Sequence, residues 1–465
     1  MRTSLLALLF ALLLPAALGA QALTPHQQLG RDLMKEMIEI NTVEGIGNTT
    51  LIADKLAARF IAAGFPAADV QVVGPKDVDK NFIVRLRGSG RSKAKPILLL
   101  AHLDVVAAKR EDWSLDPFTL TEKDGWFYGR GTEDVKSGGA MLASALLRMK
   151  QEHVMPDRDL ILALTAGEEG GSYNGVEWLL ANRRDLIDAE YCLNADAGGG
   201  DAIGGHPISL NVQAAEKVYQ SFNLTVRNRG GHSSLPRPDN AIYQLAAGLQ
   251  RISQFAFPAA PNAIVRLYFE RSAQLDRAHA ADFRALTDSS RVDQAAATRL
   301  SQDAFFNSIL RTTCVATMLD GGHAPNALPQ TAHALVNCRM LPGASPDSVR
   351  ATLQAVVADT GIKVEFEGHA IQSPPSIPSR ELLAAIEKVG ASVWGPLPVI
   401  PYMETGATDG LGLRNAGMPV FGVTGIIVPS NDVRAHGRDE RIGVRAFYDG
   451  IEFQYRLLKL LTNAR

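Results

Sequence analysis

Apolar and polar residues follow one another along this chain in patterns that predict both helices and strands. Apolar residues recur at every third or fourth position between Leu29 and Ile40, which predicts a helix capped by Thr24. A second helix is predicted from about Thr49 to Ala63, ending at Gly64. The segment 97–101 is almost entirely apolar, as expected of a strand buried on both faces.

The first half of the chain alternates strands with helices. Further strand patterns are found at 70–73, 81–86 and 160–165, and a helical pattern covers 138–149. This alternation predicts an α/β domain built around a sheet flanked by helices.

The pattern changes at about Glu216. Strands and helices are then predicted in the order βαββαβ, at 220–227, 240–252, 312–319, 332–340, 345–358 and 362–367. That order is the ferredoxin-like unit. The Ala-rich stretch 258–303 interrupts it as a helical insertion, and α/β character returns after 372. The chain is therefore predicted to have a larger domain, 23–215 with 372–465, into which a smaller domain, 216–371, is inserted.

The first 22 residues have the pattern of a secretory signal peptide. Arg2 precedes an apolar run from Leu5 to Leu18, and Ala20-Gln21-Ala22 matches a signal-peptidase site. The alternative is a membrane anchor, but the run is shorter than the ~20 residues that a span needs. We expect a mature protein that is periplasmic or secreted and not held by a membrane.

The composition excludes some classes of protein but does not indicate a function. The chain has 465 residues, 46% of them hydrophobic and 21% charged, which is typical of a globular protein with a large core. The formal net charge is −2, and no basic block interleaved with aromatic residues is present. Nucleic acid is therefore not an expected partner.

Three cysteines are too few for a disulfide scaffold, and their spacing does not suit a cysteine zinc site. Cys314 and Cys338 lie on two strand-like segments on either side of the turn 320–329, so they can face each other across an antiparallel hairpin. A disulfide and two buried thiols are both compatible with this arrangement.

Candidate chemistry is concentrated in five short segments where strands are predicted to end. They are Ala101-His102-Leu103-Asp104, Gly129-Arg130-Gly131-Thr132-Glu133-Asp134, Thr165-Ala166-Gly167-Glu168-Glu169-Gly170-Gly171, Asn194-Ala195-Asp196-Ala197-Gly198 and Ala435-His436-Gly437-Arg438-Asp439-Glu440. Each has an ordinary explanation as a turn, helix cap or surface group. Together they point to a ligand site, because loops at strand ends surround a crevice in open α/β sheets.

Two imidazoles among several carboxylates, without a thiolate, suit zinc or another borderline divalent ion. There are enough ligands for two ions sharing one carboxylate, as in two-metal sites with ions about 3.5–4 Å apart. In the pair Glu168-Glu169, one side chain can bind metal while the other meets the attacking water. Asp104, two residues after His102, is predicted to accept the free ring N–H of that histidine.

These combined motifs resemble those of the di-zinc family that includes aminoacylase, acetylornithine deacetylase, succinyl-diaminopimelate desuccinylase and glutamate carboxypeptidase. The resemblance covers nearly all of the chain after the signal peptide. It implies a zinc-peptidase-type mixed sheet flanked by helices, with a ferredoxin-like lid at 216–371. It assigns the metal ligands to His102, Asp134, Glu169, Asp196 and His436, with Asp134 bridging two Zn²⁺ or Co²⁺ ions and followed by a cis peptide bond.

The resemblance also implies the catalytic and substrate-binding residues. Glu168 would be the general base, Asp104 would support His102, and His232 would reach across a dimer to stabilise the oxyanion. Asn326, Arg339 and Thr408 would bind the substrate, with Arg339 pairing with its carboxylate. The sequence departs from the family at Asp196, where many members have Glu.

The expected function is an exported metallo-exopeptidase, of carboxypeptidase or dipeptidase type, that uses metal-bound hydroxide to cut an amide bond next to a free carboxylate. A deacylase of N-acyl amino acids would use the same residues. A di-metal phosphoesterase would need a cationic phosphate clamp, which the sequence lacks. A non-catalytic peptide-binding protein would be expected to have lost Glu168 or a ligand. A homodimer through the lid is also expected, unless the insertion blocks its edge.

Overall fold

A computed structural model describes residues 22–429 and 431–463 of the chain. The predicted signal peptide lies outside these residues, apart from Ala22. Within them, no helix is both long enough and apolar enough to cross a bilayer.

The chain up to Glu216 contains five helices and nine strands among the described residues. The helices are α1 Pro25–Ile38, α2 Thr49–Ala62, α3 Lys136–Gln151, α4 Gly175–Asn182 and α5 Arg184–Ile187. The strands are β1 Val70–Val73, β2 Asn81–Leu86, β3 Ile97–His102, β4 Thr121–Lys123, β5 Trp126–Tyr128, β6 Leu160–Thr165, β7 Tyr191–Asn194, β8 Gly199–Ile203 and β9 His206–Glu216.

The middle and last parts of the chain also contain both strands and helices. The middle part holds the strands β10 Val218–Arg227, β11 Gly231–His232, β12 Thr313–Gly321, β13 Ala327–Leu328, β14 Thr331–Met340 and β15 Ile362–Glu367, and the helices α6 Ala241–Gln254, α7 Ala263–Ser272, α8 Ala280–Ala285, α9 Gln294–Leu300, α10 Ala304–Leu310 and α11 Pro346–Val357. The last part holds α12 Arg380–Trp394, β16 Val399–Glu404, α13 Gly410–Asn415, β17 Val420–Gly422, β18 Ile427–Pro429, β19 Arg441–Gly443 and α14 Val444–Thr462.

A large mixed sheet forms the body of the molecule. Its strand order is β1-β2-β6-β3-β7-β17-β9-β8-β18, and β16 pairs with β9. Strand β3 lies between β6 and β7 and runs parallel to both. Helices α1, α3, α12 and α14 share the apolar core on one face, and α4 and α13 pack on the other. The predicted mixed sheet flanked by helices is confirmed.

A second, four-stranded sheet carries the chain between 218 and 367, and we call this sheet with its two helices the lid. All its strand pairs are antiparallel, in the order β12-β14-β10-β15. Helices α6 and α11 cover one face and enclose a separate core. The elements follow in the order βαββαβ, as the sequence predicted. The boundaries at 216 and 371 stay predictions.

The helical insertion packs on the body rather than on the lid. Ile264, Phe269, Phe283 and Leu300 of α7 to α9 are buried in the same core as the large sheet, and α7 contacts β16. From the sequence this segment could be predicted only as an insertion, because an Ala-rich amphipathic helix fits any apolar surface.

Cys314 and Cys338 are joined by a disulfide. They are direct partners in the β12–β14 register, with Cα atoms 4.0 Å apart. The bond ties the edge strand of the lid to its neighbour. Cys192 is free and buried in the body.

Candidate metal centre

The large sheet brings three of the five candidate segments to one edge. His102, Thr165 and Asn194 are the last residues of β3, β6 and β7, which are adjacent and parallel. The carboxyl ends of parallel strands meet at the same edge, so the loops that follow them converge. His102 and the loops carrying Glu168 and Asp196 are therefore neighbours.

Two groups of three side chains at this edge share Asp134. His102, Asp134 and Asp196 form one, and Asp134, Glu169 and His436 form the other; within each, the ligand atoms lie within 4.8 Å of one another. His102 Nε2 is 2.9 Å from Asp134 Oδ1, and His436 Nε2 is 3.0 Å from Asp134 Oδ2. The two oxygens of one carboxylate thus face opposite groups, as a bridging ligand requires. The Asp134–Val135 peptide bond is cis, as the resemblance implied.

Asp196 completes the first group although its local sequence fits the family loosely. Its Oδ1 lies 3.6 Å from His102 Nε2, and only 10% of its side chain is exposed. The Asp196 N–H donates to the side chain of Asn194, which ends β7. This contact directs Asp196 toward His102.

Glu168 lies beside the first group, with Oε2 4.0 Å from His102 Nε2. The preceding Gly167 has φ +78°, and a Cβ there would lie 2.2 Å from the Tyr173 carbonyl oxygen. A residue with a side chain would disturb this turn, so glycine is needed to present Glu168 to the cleft.

Asp104 supports the site differently from the prediction. His102 Nδ1 lies 3.0 Å from the backbone oxygen of Asp104 but 3.9 Å from its carboxylate. The Asp104 carboxylate instead accepts the N–H groups of Gly167 and Glu169, at 2.8 and 2.9 Å. The backbone oxygen thus orients the histidine, while the side chain holds the loop that carries the acidic pair.

The electrostatics of this cluster favour bound cations. Burial, with the neighbouring carboxylates, raises the pKa of Glu168 to about 10 and that of Glu169 and Asp196 to about 7. Burial also disfavours charge on His102 and Asp134, but nearby Asp196 and the contact with Asp134 raise the pKa of the His102 ring. The contacts with His102 and His436 lower the pKa of the Asp134 carboxyl group. Crowded buried carboxylates with two imidazoles are a donor set suited to divalent ions. The residues fit a metal pair.

Glu440 was not assigned a role from the sequence, although it ends the fifth segment. It is fully buried, forms an ion pair with Arg130, and its Oε1 accepts the N–H groups of Gly131, Glu133 and Asp134. It therefore clamps the loop of Asp134 against the loop of His436. The position of Glu440, four residues after His436, was a sequence signal for a role at the site. Only the fold shows that the Glu440 side chain points to the loop of Asp134.

A cleft of about 470 Å³ opens over both groups. Its walls include Glu168, Glu169, Tyr402, Glu404, Thr408, Ile426 and Val428. Of the described residues, none from the lid lines it. His232 and Asn326 are exposed at the antiparallel strand pair β11–β13, where His232 pairs with Ala327 and Asn326 O accepts the N–H of Ser233. Arg339 stacks on Tyr219, 4.9 Å from the ring centroid. The structure does not bring these three predicted residues to the cleft.

Thr408 lines the cleft, but its hydroxyl is engaged within the protein. It donates to Glu216 at 3.1 Å and accepts from Asn194 at 3.3 Å. Glu216 also pairs with buried Arg414 and accepts from Ser373. Thr408 therefore holds the cleft wall to both chain connections with the lid, and sequence spacing gave no sign of this network.

Comparison with known proteins agrees with this geometry. The model of peptidase family M20/M25/M40 matches residues 98–460. The human protein N-fatty-acyl-amino acid synthase/hydrolase PM20D1 is 27% identical over 92% of this chain and 87% of its own length. A probable succinyl-diaminopimelate desuccinylase of Staphylococcus aureus (strain MRSA252) is 30% identical over 78% of this chain and 81% of its own.

A solved structure has the same fold. The M20 family metallo-carboxypeptidase Sso-CP2 from Sulfolobus solfataricus superposes with a TM-score of 0.65 at 18% identity, covering 93% of this chain and 98% of that one. The chain thus belongs to the peptidase family M20/M25/M40 and is a hydrolase of peptide or amide C–N bonds.

Proposed function

We propose that this protein is an exported di-zinc exopeptidase, of carboxypeptidase or dipeptidase type, that cuts an amide bond next to a free carboxylate. The observation that carries the proposal is the pair of ligand groups sharing Asp134, with Glu168 beside them in a cleft. One ion would be held by His102, Asp134 and Asp196, and the other by Asp134, Glu169 and His436. When bound, the ions would lower the pKa of water and polarise the scissile carbonyl.

Glu168 does the proton transfer in this proposal. Its carboxylate takes a proton from the attacking water as the new C–O bond forms, and delivers it to the amide nitrogen as the C–N bond breaks. The products are a free carboxylate and a free amine. The position of Glu168 suits this role, because its carboxylate lies in the cleft beside the ligand group of His102.

Lid residues complete the proposed site. Arg339 would pair with the substrate carboxylate, Asn326 would hydrogen-bond to it, and His232 would face the developing oxyanion. Since all three lie away from the cleft in this arrangement, the proposal needs lid closure or a second subunit. The edge strand β12 exposes Val315, Met318 and Leu319, at 60%, 65% and 69%, which supports a homodimer through the lid. A sedimentation measurement that finds only monomer would exclude this dimer.

Export is also part of the proposal. The signal-like segment 1–22 supports it, as does the Cys314–Cys338 disulfide, because structural disulfides persist mainly in oxidising compartments. Fractionation of cells that express the full chain tests it, and retention in the cytoplasm would contradict it.

The second candidate function is hydrolysis of N-acyl amino acids, favoured by the similarity to the human N-fatty-acyl-amino acid synthase/hydrolase. A panel of dipeptides, longer peptides and N-acyl amino acids separates the two, assayed with zinc, with cobalt and with a chelator. The exopeptidase proposal expects chelator-sensitive cleavage of peptides that end in a free carboxylate. Cleavage of N-acyl amino acids alone would favour the second function, and full activity after metal removal would reject both.

A further inference from the structure

Glu404 is an acidic residue of the cleft that the proposed reaction does not use. It ends β16, is half-buried, and belongs to neither metal-ligand group. Among the described residues, no lysine, arginine or histidine nitrogen lies within salt-bridge distance of its carboxylate. Its negative charge in the cleft therefore has no partner from the described chain.

The Glu404 carboxylate is nevertheless held in place. Its Oε1 accepts the N–H of Thr405 at 2.8 Å, and its Oε2 accepts the hydroxyl of Tyr402 at 3.1 Å. The same hydroxyl accepts the N–H of Gly198 at 3.1 Å. The Thr405 hydroxyl and the Gly406 N–H also donate to Oε1, each at 3.4 Å. These neutral donors orient the carboxylate without neutralising it, and Oε2, which accepts only from Tyr402 among the described residues, keeps acceptor capacity. An oriented carboxylate with spare acceptors is prepared to bind a cation.

The charge balance of the cleft also favours the binding of a cation by Glu404. Six acidic side chains line it, namely Glu133, Asp134, Glu168, Glu169, Asp196 and Glu404, and His436 is the only basic residue among its lining residues. Two divalent ions would offset four of these six charges. Glu404 belongs to neither proposed ligand group, and the apolar side chains of Ile426 and Val428 also line the cleft. The surplus negative charge repels a substrate carboxylate from this end of the cleft and attracts an ammonium group.

We propose that Glu404 binds a primary ammonium group on the acyl side of the scissile bond, so that the preferred substrates are dipeptides with a free amino terminus. This inference rests on the proposed function and names its substrate class. The acyl side follows from charge: the free carboxylate of the substrate lies on the leaving-amine side, where Arg339 is the proposed partner. Tyr402 connects Glu404 through Gly198 to the loop of Asp196, so the proposed ammonium site lies in the same cleft as the proposed metal ligands.

The test compares two substrates that differ only in the ammonium group, L-alanyl-L-phenylalanine and N-propionyl-L-phenylalanine. The zinc-loaded wild type is expected to favour the dipeptide in kcat/KM by about tenfold or more, the effect of one hydrogen bond to a charged group. Glu404→Gln should remove this preference and leave N-propionyl-L-phenylalanine within about twofold. Glu365→Gln, at an exposed position of the lid, is the charge-matched control and should change neither rate.

Two further measurements distinguish the loss of ammonium binding from a change in the shape of the cleft. In a Glu168→Ala background, calorimetry should show that Glu404→Gln weakens binding of the dipeptide about tenfold and leaves binding of the propionyl compound unchanged. For the wild type, kcat/KM for the dipeptide should fall further than that for the propionyl compound above pH ~8, where an α-amino group loses its proton.

The outcomes distinguish the inference from the function beneath it. Equal losses on both substrates in Glu404→Gln, or a wild-type preference for the propionyl compound, would overturn the ammonium site and leave amide hydrolysis intact. If the zinc-loaded protein cleaves neither compound nor any member of the wider panel, the proposed function itself fails, and the inference with it.

Discussion

The candidate metal cleft of the body and the proposed substrate-binding residues of the lid differ in how far they are assembled. In the cleft, His102 and Asp196 are 1% and 10% exposed, and their ring and carboxylate lie 3.6 Å apart. In the lid, His232 and Asn326 are exposed, and Arg339 contacts Tyr219 rather than the cleft. The first site is complete within one chain, and the second is not.

This difference has a structural cause. Three of the five proposed ligands, His102, Glu169 and Asp196, lie at the ends of adjacent parallel strands of one sheet, so backbone hydrogen bonding fixes the separation of those strand ends. Arg130 and Glu440 hold the loops of the other two, Asp134 and His436, together. The lid has its own sheet and core and can move relative to the body without breaking either. In the proposed function, the chemistry that needs fixed distances thus lies on the body, and substrate recognition lies on the lid, which has a core of its own.

The largest expected effect comes from Glu168→Ala in the cleft. We expect this variant to bind its metals normally and to lose about 10²–10⁴-fold in kcat, because a general acid–base group is removed while every ligand remains. Metal analysis and steady-state kinetics measure the two properties. Glu177→Ala, on the exposed face of the helix that follows, is the control. Turnover near wild type in Glu168→Ala would remove the proposed base.

Arg339→Ala tests the proposed substrate-binding residues of the lid. Losing a bidentate pair with the substrate carboxylate should raise KM about 10–100-fold, with a smaller change in kcat. The loss should vanish for a substrate whose carboxylate is replaced by an amide. Arg350→Ala is a matched control, since Arg350 also stacks on a lid ring, 5.5 Å from the centroid of Phe366. An equal loss with the amidated substrate would assign Arg339 to lid stability alone.

The smallest effect is expected at Lys217, where the chain passes from body to lid. Its buried ammonium group donates to the carbonyl oxygens of Ser308 and Arg311 at 2.6 Å, and burial lowers its pKa to about 7. The unfolded chain keeps the proton up to about pH 10.4. Between these values the unfolded state binds more protons, so the free energy of unfolding rises with pH, by at most about 1.4 kcal/mol per unit.

Lys217→Met should therefore flatten the rise in the urea midpoint between pH 7 and pH 10. Lys363→Met, at an exposed lid position, should leave the rise as in the wild type. A Lys217→Met profile parallel to the wild type would show that Lys217 does not titrate in this range.

Much of the fold could be predicted because its elements carry local patterns. The apolar run ending at His102, the helix capped by Thr24 and the βαββαβ order of the lid all appear at the predicted places. The insertion after residue 258 could not be placed, because its amphipathic helices do not specify which apolar surface they cover. The structure packs it on the body.

The candidate site could also be predicted only in part from the sequence. The five candidate ligands and Glu168 were predicted because their strand-end motifs stand out in sequence and resemble those of the di-zinc family, and the fold brings them together. Three contacts were not predicted from the sequence. They are the hydrogen bonds of the Asp104 carboxylate to the loop of Glu168, those of Glu440 to the loop of Asp134, and that of the Thr408 hydroxyl to Glu216. Each depends on the direction of one side chain toward a partner that lies 63 to 309 residues away in the chain.

The sequence by itself determined which residue types end the strands, and thereby the kind of chemistry the protein carries. Only the tertiary structure decided that Asp134 turns its two oxygens to different histidines, that the Cys314 and Cys338 sulfurs are joined, and that Glu404 has no cationic partner among the described residues. The physical reason is that residue identity and spacing are local properties of the chain. Distances, burial and charge balance arise only when segments far apart in sequence pack against one another.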